Sequence, residues 1–408
     1  MTPSKHIVFA WELGAGYGHI TSFMPIAKEM RRRGYRVSWI LKDISNFPNL
    51  SNNCDDKIFQ APVYTLKDKG LETVNNYSDL LYRHGYRKAD ELVMLLHSWE
   101  LLFDQLDPDL LICDHSPTAL LASRGYECSV ASIGIGFFCP PCCSPLPSLQ
   151  LSKRISIETL QQSDATVLSV INSAMESLGR YTLPQVSSLF DIDEHFLCTF
   201  PELDHYPQRK DHCYWGAYGG GESGEVPVWP EGNGPRVFVY LQKDRVSTEY
   251  VLKALDNLGW PAIVHFTRGF QSPSSGHVSE TINYSAKHLD IEKVCQSADF
   301  IICHASHGTV SMALLAGIPL LLFPAHQEQL ILSHRLRQYG LGLVGECGKG
   351  VEGVIKQLQE LKNSTALKER SLLFAKKYSE FCSEEQIKLL ADRCEQLIKK
   401  PPSLDAPC

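Results

Sequence analysis

The chain has no apolar run approaching the roughly 20 residues that a membrane-spanning helix requires. It also has no excess of positive charge: 39 lysines and arginines stand against 46 aspartates and glutamates, a formal net charge of −7. The first shortage argues against a transmembrane segment, and the second against a nucleic-acid binder, which displays a basic domain or stripe. The one dense basic run, Arg31-Arg32-Arg33, precedes Gly34 at the end of an expected helix, where cations suit the negative end of the helix dipole. Zinc-site spacing is missing too. Fourteen cysteines are scattered over the chain, and although Cys139 and Cys142 have C-x-x-C spacing, no second pair follows. The proline-rich Cys139–Cys143 segment therefore reads as a loop carrying reduced thiols. No Asp-x-Asp lies in a context suited to a metal, since Asp191-x-Asp193 falls in a polar, loop-like stretch. A secretory leader is not expected, because His6–Trp11 is a short strand broken by Glu12 and glycines rather than a long apolar segment. The expected location is cytoplasmic.

What is there is ample apolar material. At 408 residues, 44% hydrophobic and 21% charged, the chain fits two ordinary domains. Residues 6–11 (HIVFAW) read as a strand, followed by a glycine-rich turn through Gly14, Gly16 and Gly18. An amphipathic helix then carries Ile20, Phe23, Met24, Ala27 and Met30 to a stop at Gly34, and Arg36–Leu41 is a second strand. Gly14-x-Gly16-x-Gly18, with Asp43 ending the second strand, also permits a dinucleotide reading, although the spacing is imperfect. His19 falls between a strand's carboxyl end and a helix start. There the positive helix end disfavours its protonation and keeps it available as a base; capping the helix is its plainer use. Residues 44–100 are less regular, and Tyr64, Tyr77, Tyr82, Tyr86 and Trp99 could stack on an acceptor or serve as packing. Leu110–Cys113 reads as a strand delivering Asp114 at its carboxyl end, where a turn-capping role stays open. Ser129–Ile135 is a further strand, and Phe196–Phe200 looks like the last strand of the first domain. The glycine- and proline-rich residues 216–235 read as a linker.

A βαβ rhythm resumes at Arg236–Leu241, with a helix over 248–258 and a strand over 262–266. Gln242 and Lys243 end the first of these strands, and Lys243 could supply charge there. The densest chemistry follows Phe300–Cys303, an apolar strand after which His304, Ser306, His307, Gly308 and Thr309 crowd one turn before a helix over 310–315. Unpaired N–H groups, the helix dipole and two hydroxyls make that turn suited to an anion such as phosphate. A second strand, Pro319–Phe323, ends in Pro324 and delivers His326, Gln327, Glu328 and Gln329 nearby. The tail from 366 to 400 has helical spacing of its apolar residues.

The run from His304 to Thr309, Gly317-Ile318-Pro319, and Glu328-Gln329 resemble the donor-site signature of the GT-B fold, family 1 nucleotide-sugar glycosyltransferases of bacterial type. Gly18-His19, with Pro25 and the helix end Arg33 to Val37, resembles their N-terminal motif. Two departures stand out: Ala305 and Ser306 replace two glycines, and Met312 replaces a glutamate that many UDP-sugar users carry. The resemblance implies an α/β protein with two Rossmann-like domains, an inter-domain cleft and a C-terminal helix crossing back to the first domain. Residues 1–215 would form the N-terminal acceptor-binding domain, 216–235 the linker, 236–365 the C-terminal donor-binding domain, and 366–408 a helical tail packing back on the first domain. It implies an inverting, metal-independent hexosyl transfer from a UDP- or dTDP-sugar to a hydroxyl of a small-molecule, glycan or natural-product acceptor. The nucleotide sugar is a co-substrate, and no separate cofactor or metal is implied. His19 would be the base and Asp114 its partner. His304, Ser306, His307, Gly308 and Thr309 would hold the diphosphate, with Glu328 and Gln329 on the sugar. Two other readings stay open: a nucleotide-sugar epimerase of the same fold, and a non-catalytic sugar-nucleotide-binding partner protein.

Overall fold

A computed structural model describes residues 4–16, 18–45, 56–65, 73–151, 153–210, 212–217, 224–267 and 279–399. The chain divides into two compact units: Met1–Phe200 with Tyr206–Gly220 and Cys382–Cys408, and Pro201–His205 with Gly221–Phe381. Each is α/β, and among the described residues each holds one six-stranded parallel sheet.

In the first unit the strands are β1 (His6–Trp11), β2 (Arg36–Leu41), β3 (Lys57–Gln60), β4 (Leu110–Asp114), β5 (Ser129–Gly134) and β6 (Glu194–Leu197). Their order is β3-β2-β1-β4-β5-β6. The chain winds outward from β1 in one direction and from β4 in the other, so the strand order reverses between these two. Ligands of doubly wound sheets bind at the carboxyl ends of the strands beside such a reversal. Strand β1 is buried throughout, as a strand covered on both faces must be, which is why it reads as an unbroken apolar run. Helix α1 (Gly18–Arg32) covers one face with Ile20, Phe23, Ile26, Ala27 and Met30. On the other face lie α2 (Tyr77–Arg83), α3 (Ala89–Leu106), α4 (Pro117–Ala122) and α5 (Ile157–Ser177), whose Tyr77, Leu96, Trp99, Phe103 and Ile171 form one core cluster.

In the second unit the strands are β7 (Val237–Leu241), β8 (Ala262–Phe266), β9 (Ile282–Tyr284), β10 (Phe300–Cys303), β11 (Leu320–Leu322) and β12 (Gly342–Val344), ordered β12-β11-β10-β7-β8-β9. Counted from β7, this is the same winding, with its reversal between β7 and β10. The helices are α6 (Val246–Leu258), α7 (Ile291–Ser297), α8 (His307–Leu315), α9 (Gln327–Tyr339), α10 (Gly350–Asn363) and α11 (Thr365–Lys377). No described helix is long and apolar enough to cross a membrane.

Several boundaries differ from the sequence reading. The helical tail consists of two helices that belong to different units. Helix α11 buries Leu367, Ser371 and Phe374 within the second unit, whereas α12 (Ser383–Lys399) belongs to the first. There α12 packs Leu390, Ala391, Cys394 and Leu397 into the cluster under α1, each leucine worth about 1.5–3 kcal/mol of burial. Arg33 reaches Asp392 at 2.6 Å, and the Ser129 hydroxyl donates to the Leu397 carbonyl at 2.8 Å. Residues 400–408 of the expected tail lie outside the described residues. The expected strand at Phe196–Phe200 begins at Glu194 and ends at Leu197. Residues 201–205 then join the second unit, because Arg335, largely buried, needs carbonyl acceptors and finds them at Asp204 (3.0 Å) and Pro201 (3.4 Å). Of the expected linker, 218–223 lies outside the described residues. Residues 224–235 lie along the second unit, where Glu225 exchanges backbone hydrogen bonds with the His288–Asp290 segment and Gly234 packs directly on the Trp260 ring. The glycines there serve close packing as well as chain reversal.

Candidate active site

At the first reversal, β1 and β4 run in register with Trp11 opposite Asp114. His19, in the first turn of α1, is thereby set against the end of β4. Its Nδ1 lies 2.9 Å from Asp114 Oδ2, with the two side chains 8% and 4% exposed. A carboxylate only accepts, so Nδ1 carries the proton and the Nε2 lone pair is left to act as a base. Trp11 stacks on the imidazole (ring centroids 4.9 Å apart, 19° between planes) and Phe138 sits 5.1 Å away, which fixes the ring between two aromatic walls. Gly14 makes room in front of it. A Cβ at this position would fall 2.6 Å from His19 Nε2 and 3.4 Å from His115 Nδ1, and the residue's φ of +84° also favours glycine.

Sequence reasoning missed Glu12, whose buried carboxyl accepts from the Thr118 amide (2.8 Å) and hydroxyl (2.6 Å). Burial outweighs these donors and the nearby Lys42 charge, and pushes its pKa from 4.5 up to about 7. The folded state thus binds this proton more tightly than the unfolded chain does. The resulting stability is fully present below about pH 4.5 and is lost as pH rises through about 7. Glu12→Gln is expected to remove that slope, so the difference between the two proteins changes by about 3 kcal/mol across the window, read from urea melts between pH 4.5 and 8.

Of the aromatic residues that could stack on an acceptor or serve as packing, Tyr77, Tyr86 and Trp99 are buried in one core cluster. Tyr86 lies 3.2 Å from the Thr118 hydroxyl, and Tyr64 bonds Glu91 at 2.9 Å. Tyr77 alone among them has a ring contact with His115, at 6.0 Å. Asp43, which the dinucleotide reading needs for a ribose, accepts from Ser45's amide and hydroxyl at 2.9 and 2.6 Å and so closes its own turn. Cys139 is buried with its sulfur 3.3 Å from the Ser132 hydroxyl. Among the described residues no group of three or more His, Cys, Asp or Glu is placed to hold a metal ion.

At the second reversal the structure brings the expected donor residues to adjoining strand ends but gives them unequal parts. His304 is the correction. Its Nδ1 bonds the Phe323 carbonyl at 2.6 Å and its Nε2 accepts from the Gln242 amide at 2.7 Å. Both nitrogens are occupied in clasping the ends of β7, β10 and β11, and burial holds the ring's pKa below its ordinary value. A neutral ring so tied has no N–H left for a phosphate. His307 also departs. It opens α8, yet its imidazole is buried, and burial together with the neighbouring His205 lowers its pKa to about 3. Ser306, Gly308 and Thr309 remain at the helix start. Ser306 is the N-cap residue with its hydroxyl 3.0 Å from that of Thr309, and Gly308 is exposed with nothing within 4 Å of where a Cβ would stand. Those features leave an open, donor-rich helix N-terminus. Ala305 takes the left-handed conformation (φ 64°) while fully buried, the conformation a glycine would adopt there at lower cost.

Glu328 and Gln329 lie in the first turn of α9. Glu328 is 3.3 Å from His205 Nε2 and 3.6 Å from His326 Nδ1, and Gln329 Oε1 accepts from the Ala325 amide at 2.9 Å. The cation at this edge that the sequence reading overlooked is Arg245. It bonds Gln242 Oε1 at 2.9 Å and the Ala325 carbonyl at 3.3 Å, so it bridges the loops after β7 and β11.

No family model matches the chain, and no curated protein sequence does. Solved structures do. The calicheamicin glycosyltransferase CalG4 is 18% identical, with 98% of this chain and 99% of that one covered at a TM-score of 0.71. The glycosyltransferase SnogD from Streptomyces nogalater is 17% identical over 95% and 99%, at 0.62. The glycosyltransferase VinC, solved in complex with DTDP, is 13% identical over 96% and 100%, at 0.65. The fold is that of these glycosyltransferases. At such low identity the likeness carries the architecture, and the chemistry rests on the residues at the two strand-order reversals.

Proposed function

We propose that the protein is an inverting, metal-independent glycosyltransferase of the cytoplasm that moves a sugar from a nucleotide diphosphate to an acceptor hydroxyl. The observation that carries this reading is the buried His19–Asp114 pair at the carboxyl ends of β4 and the first turn of α1. His19 Nε2 would take the proton of the acceptor hydroxyl, and Asp114 would hold the Nδ1–H tautomer and stabilise the imidazolium. The acceptor oxygen would attack the anomeric carbon from the face opposite the diphosphate, inverting the centre. In the second unit the N-terminus of α8, with the Ser306 and Thr309 hydroxyls and the open Gly308, suits the charge developing on the diphosphate leaving group. Arg245 adds a cation at the same strand ends. Glu328 and Gln329 would meet the sugar hydroxyls, as a site that discriminates between sugars requires. An epimerase has no acceptor hydroxyl for a histidine base to deprotonate and a non-catalytic binder needs no base at all, so that pair favours the transferase among the three readings.

Met312, half-buried on α8, has no group to accept a hydrogen bond from a ribose hydroxyl. Together with the thymidine nucleotide seen in the neighbouring glycosyltransferase VinC, it supports a dTDP-sugar as donor. A thermal-shift panel tests this. At equal concentration dTDP-glucose is expected to raise the melting temperature by several degrees more than UDP-glucose or GDP-glucose, the difference expected of about tenfold tighter binding. A clear preference for the UDP-sugar would overturn the donor assignment, and no shift with any nucleotide sugar would overturn the transferase reading.

A further inference from the structure

The ladder between β1 and β4 ends where the chemistry begins. Its last register pair is Trp11 opposite Asp114. Past that point the chain leaves β1 at Glu12 and enters α1 at Gly18, and it leaves β4 at His115 and enters α4 at Pro117. Unpaired strand ends are free to separate, and separation of these two draws His19 Nδ1 away from Asp114. Cross-ties continue the ladder beyond its end. The Leu13 amide donates to the His115 carbonyl at 2.9 Å. Glu12 reaches further, its Oε2 accepting from the Thr118 amide at 2.8 Å and its Oε1 from the Thr118 hydroxyl at 2.6 Å. The segment after β1 is also held along its own length, since the Trp11 indole N–H donates to the Leu13 carbonyl at 2.6 Å and Lys42 Nζ to the Gly14 carbonyl at 2.7 Å. Gly14 in turn packs against the His19 ring, where a Cβ would fall 2.6 Å from Nε2.

Burying a carboxyl at this place is unfavourable in itself. Glu12 is 1% exposed, and the ionisable groups around it are Lys42, Tyr77, Tyr86 and Cys113. A leucine of similar length would pack there without the desolvation cost. What leucine lacks is the ability to accept two hydrogen bonds from one residue of the facing loop, and two bonds fix direction as well as distance. The Thr118 hydroxyl lies 3.2 Å from that of buried Tyr86, so a core residue braces the clasp from behind.

We propose, resting on the transferase reading, that Glu12 is a positioning residue for the base: its clasp on Thr118 holds the ends of β1 and β4 at the spacing in which His19 Nδ1 meets Asp114 Oδ2. Glu12 touches neither substrate nor the reacting atoms and exchanges no proton in the reaction. Its effect passes through the 2.9 Å contact between His19 and Asp114. A displacement of about 1 Å at such a contact costs about 10²-fold in rate. The tie needs hydrogen-bonding capacity rather than charge, because a glutamine can offer its oxygen to the Thr118 amide and its NH₂ to the Thr118 hydroxyl oxygen.

The test compares Glu12→Leu, Thr118→Val and Glu12→Gln in the full chain, each well below its melting temperature. Two quantities are read: steady-state sugar transfer, and the exchange of the His19 Nδ1 proton with water, followed by NMR on protein with nitrogen-labelled histidine. Glu12→Leu is expected to lower kcat about 10²-fold with KM for the donor unchanged, and to speed the Nδ1–H exchange about tenfold. Thr118→Val removes one of the two bonds and is expected to lower kcat about tenfold with faster exchange; it carries the test if Glu12→Leu does not fold. Glu12→Gln is expected to stay within about threefold of the wild type in both quantities. Wild-type turnover and exchange in folded Glu12→Leu or Thr118→Val would overturn the proposal. So would a loss of turnover with Nδ1–H exchange unchanged, which is what a merely structural defect produces, or a loss in Glu12→Gln as large as in Glu12→Leu. Faster exchange in Glu12→Leu and Thr118→Val alone, without sugar transfer by any of the proteins, would keep the positioning role and refute the transferase.

Discussion

Asp114→Asn is expected to lower turnover by about 10³-fold while leaving the melting temperature and donor binding close to those of the wild type. The substitution keeps the size and planarity of a side chain that is almost wholly buried against His19. What it removes is charge. In the proposed mechanism His19 becomes an imidazolium between Trp11 and Phe138, where little water can solvate it. The carboxylate 2.9 Å from Nδ1 is the compensating group, and a neutral amide in its place leaves a buried cation unpaired. If the amide turns its NH₂ toward Nδ1, the histidine must shift its proton to Nε2 and loses the lone pair that makes it a base. Either orientation is costly, and the effect falls on the chemical step rather than on KM for the donor. Steady-state kinetics with an accepted donor and acceptor measures it. Activity within threefold of wild type would remove Asp114 from the mechanism.

The parts of this site that the sequence revealed are those where one short segment holds both the structural cue and the chemistry. His6–Trp11, the glycine turn and His19 are contiguous, and an apolar run ending in a polar residue places Asp114 at a strand end without knowledge of the sheet order. The pairing of the two needed the strand order, because β1 and β4 are neighbours only through a crossover of about 100 residues. The same distance in sequence hid the use of His304. Its partners, the Phe323 carbonyl and the Gln242 amide, lie 19 and 62 residues away, and both are backbone atoms that residue identity does not disclose. The use of Arg245 was similarly unreadable, since its turn toward the Ala325 carbonyl depends on the loop's path. The irregular stretch 44–100 concealed β3, α2 and α3. Strand β3 is an edge strand with no fully buried residue, so it has no apolar run to announce it. Glu12 looked like an interruption of a strand, and only Thr118, 106 residues later, explains a carboxyl buried there.

Replacing His19 is expected to cost as much as replacing any other residue at the first strand-order reversal. His19→Gln, which fills most of the space between Trp11 and Phe138, should reduce turnover by about 10³–10⁴-fold, since an amide cannot take a proton. His19→Ala should do the same with a lower melting temperature, because it empties the slot between two aromatic rings. Donor-induced stabilisation should persist in both variants, because the residues proposed to meet the donor are held by the second unit's own sheet ends. The decisive measurement is the double variant. If Asp114 acts only by orienting and stabilising His19, adding Asp114→Asn to His19→Gln should produce no further loss, because the carboxylate then has no imidazolium to serve. Losses that multiply would mean that Asp114 touches the reacting groups itself, and unchanged turnover in His19→Gln would mean that the base lies elsewhere.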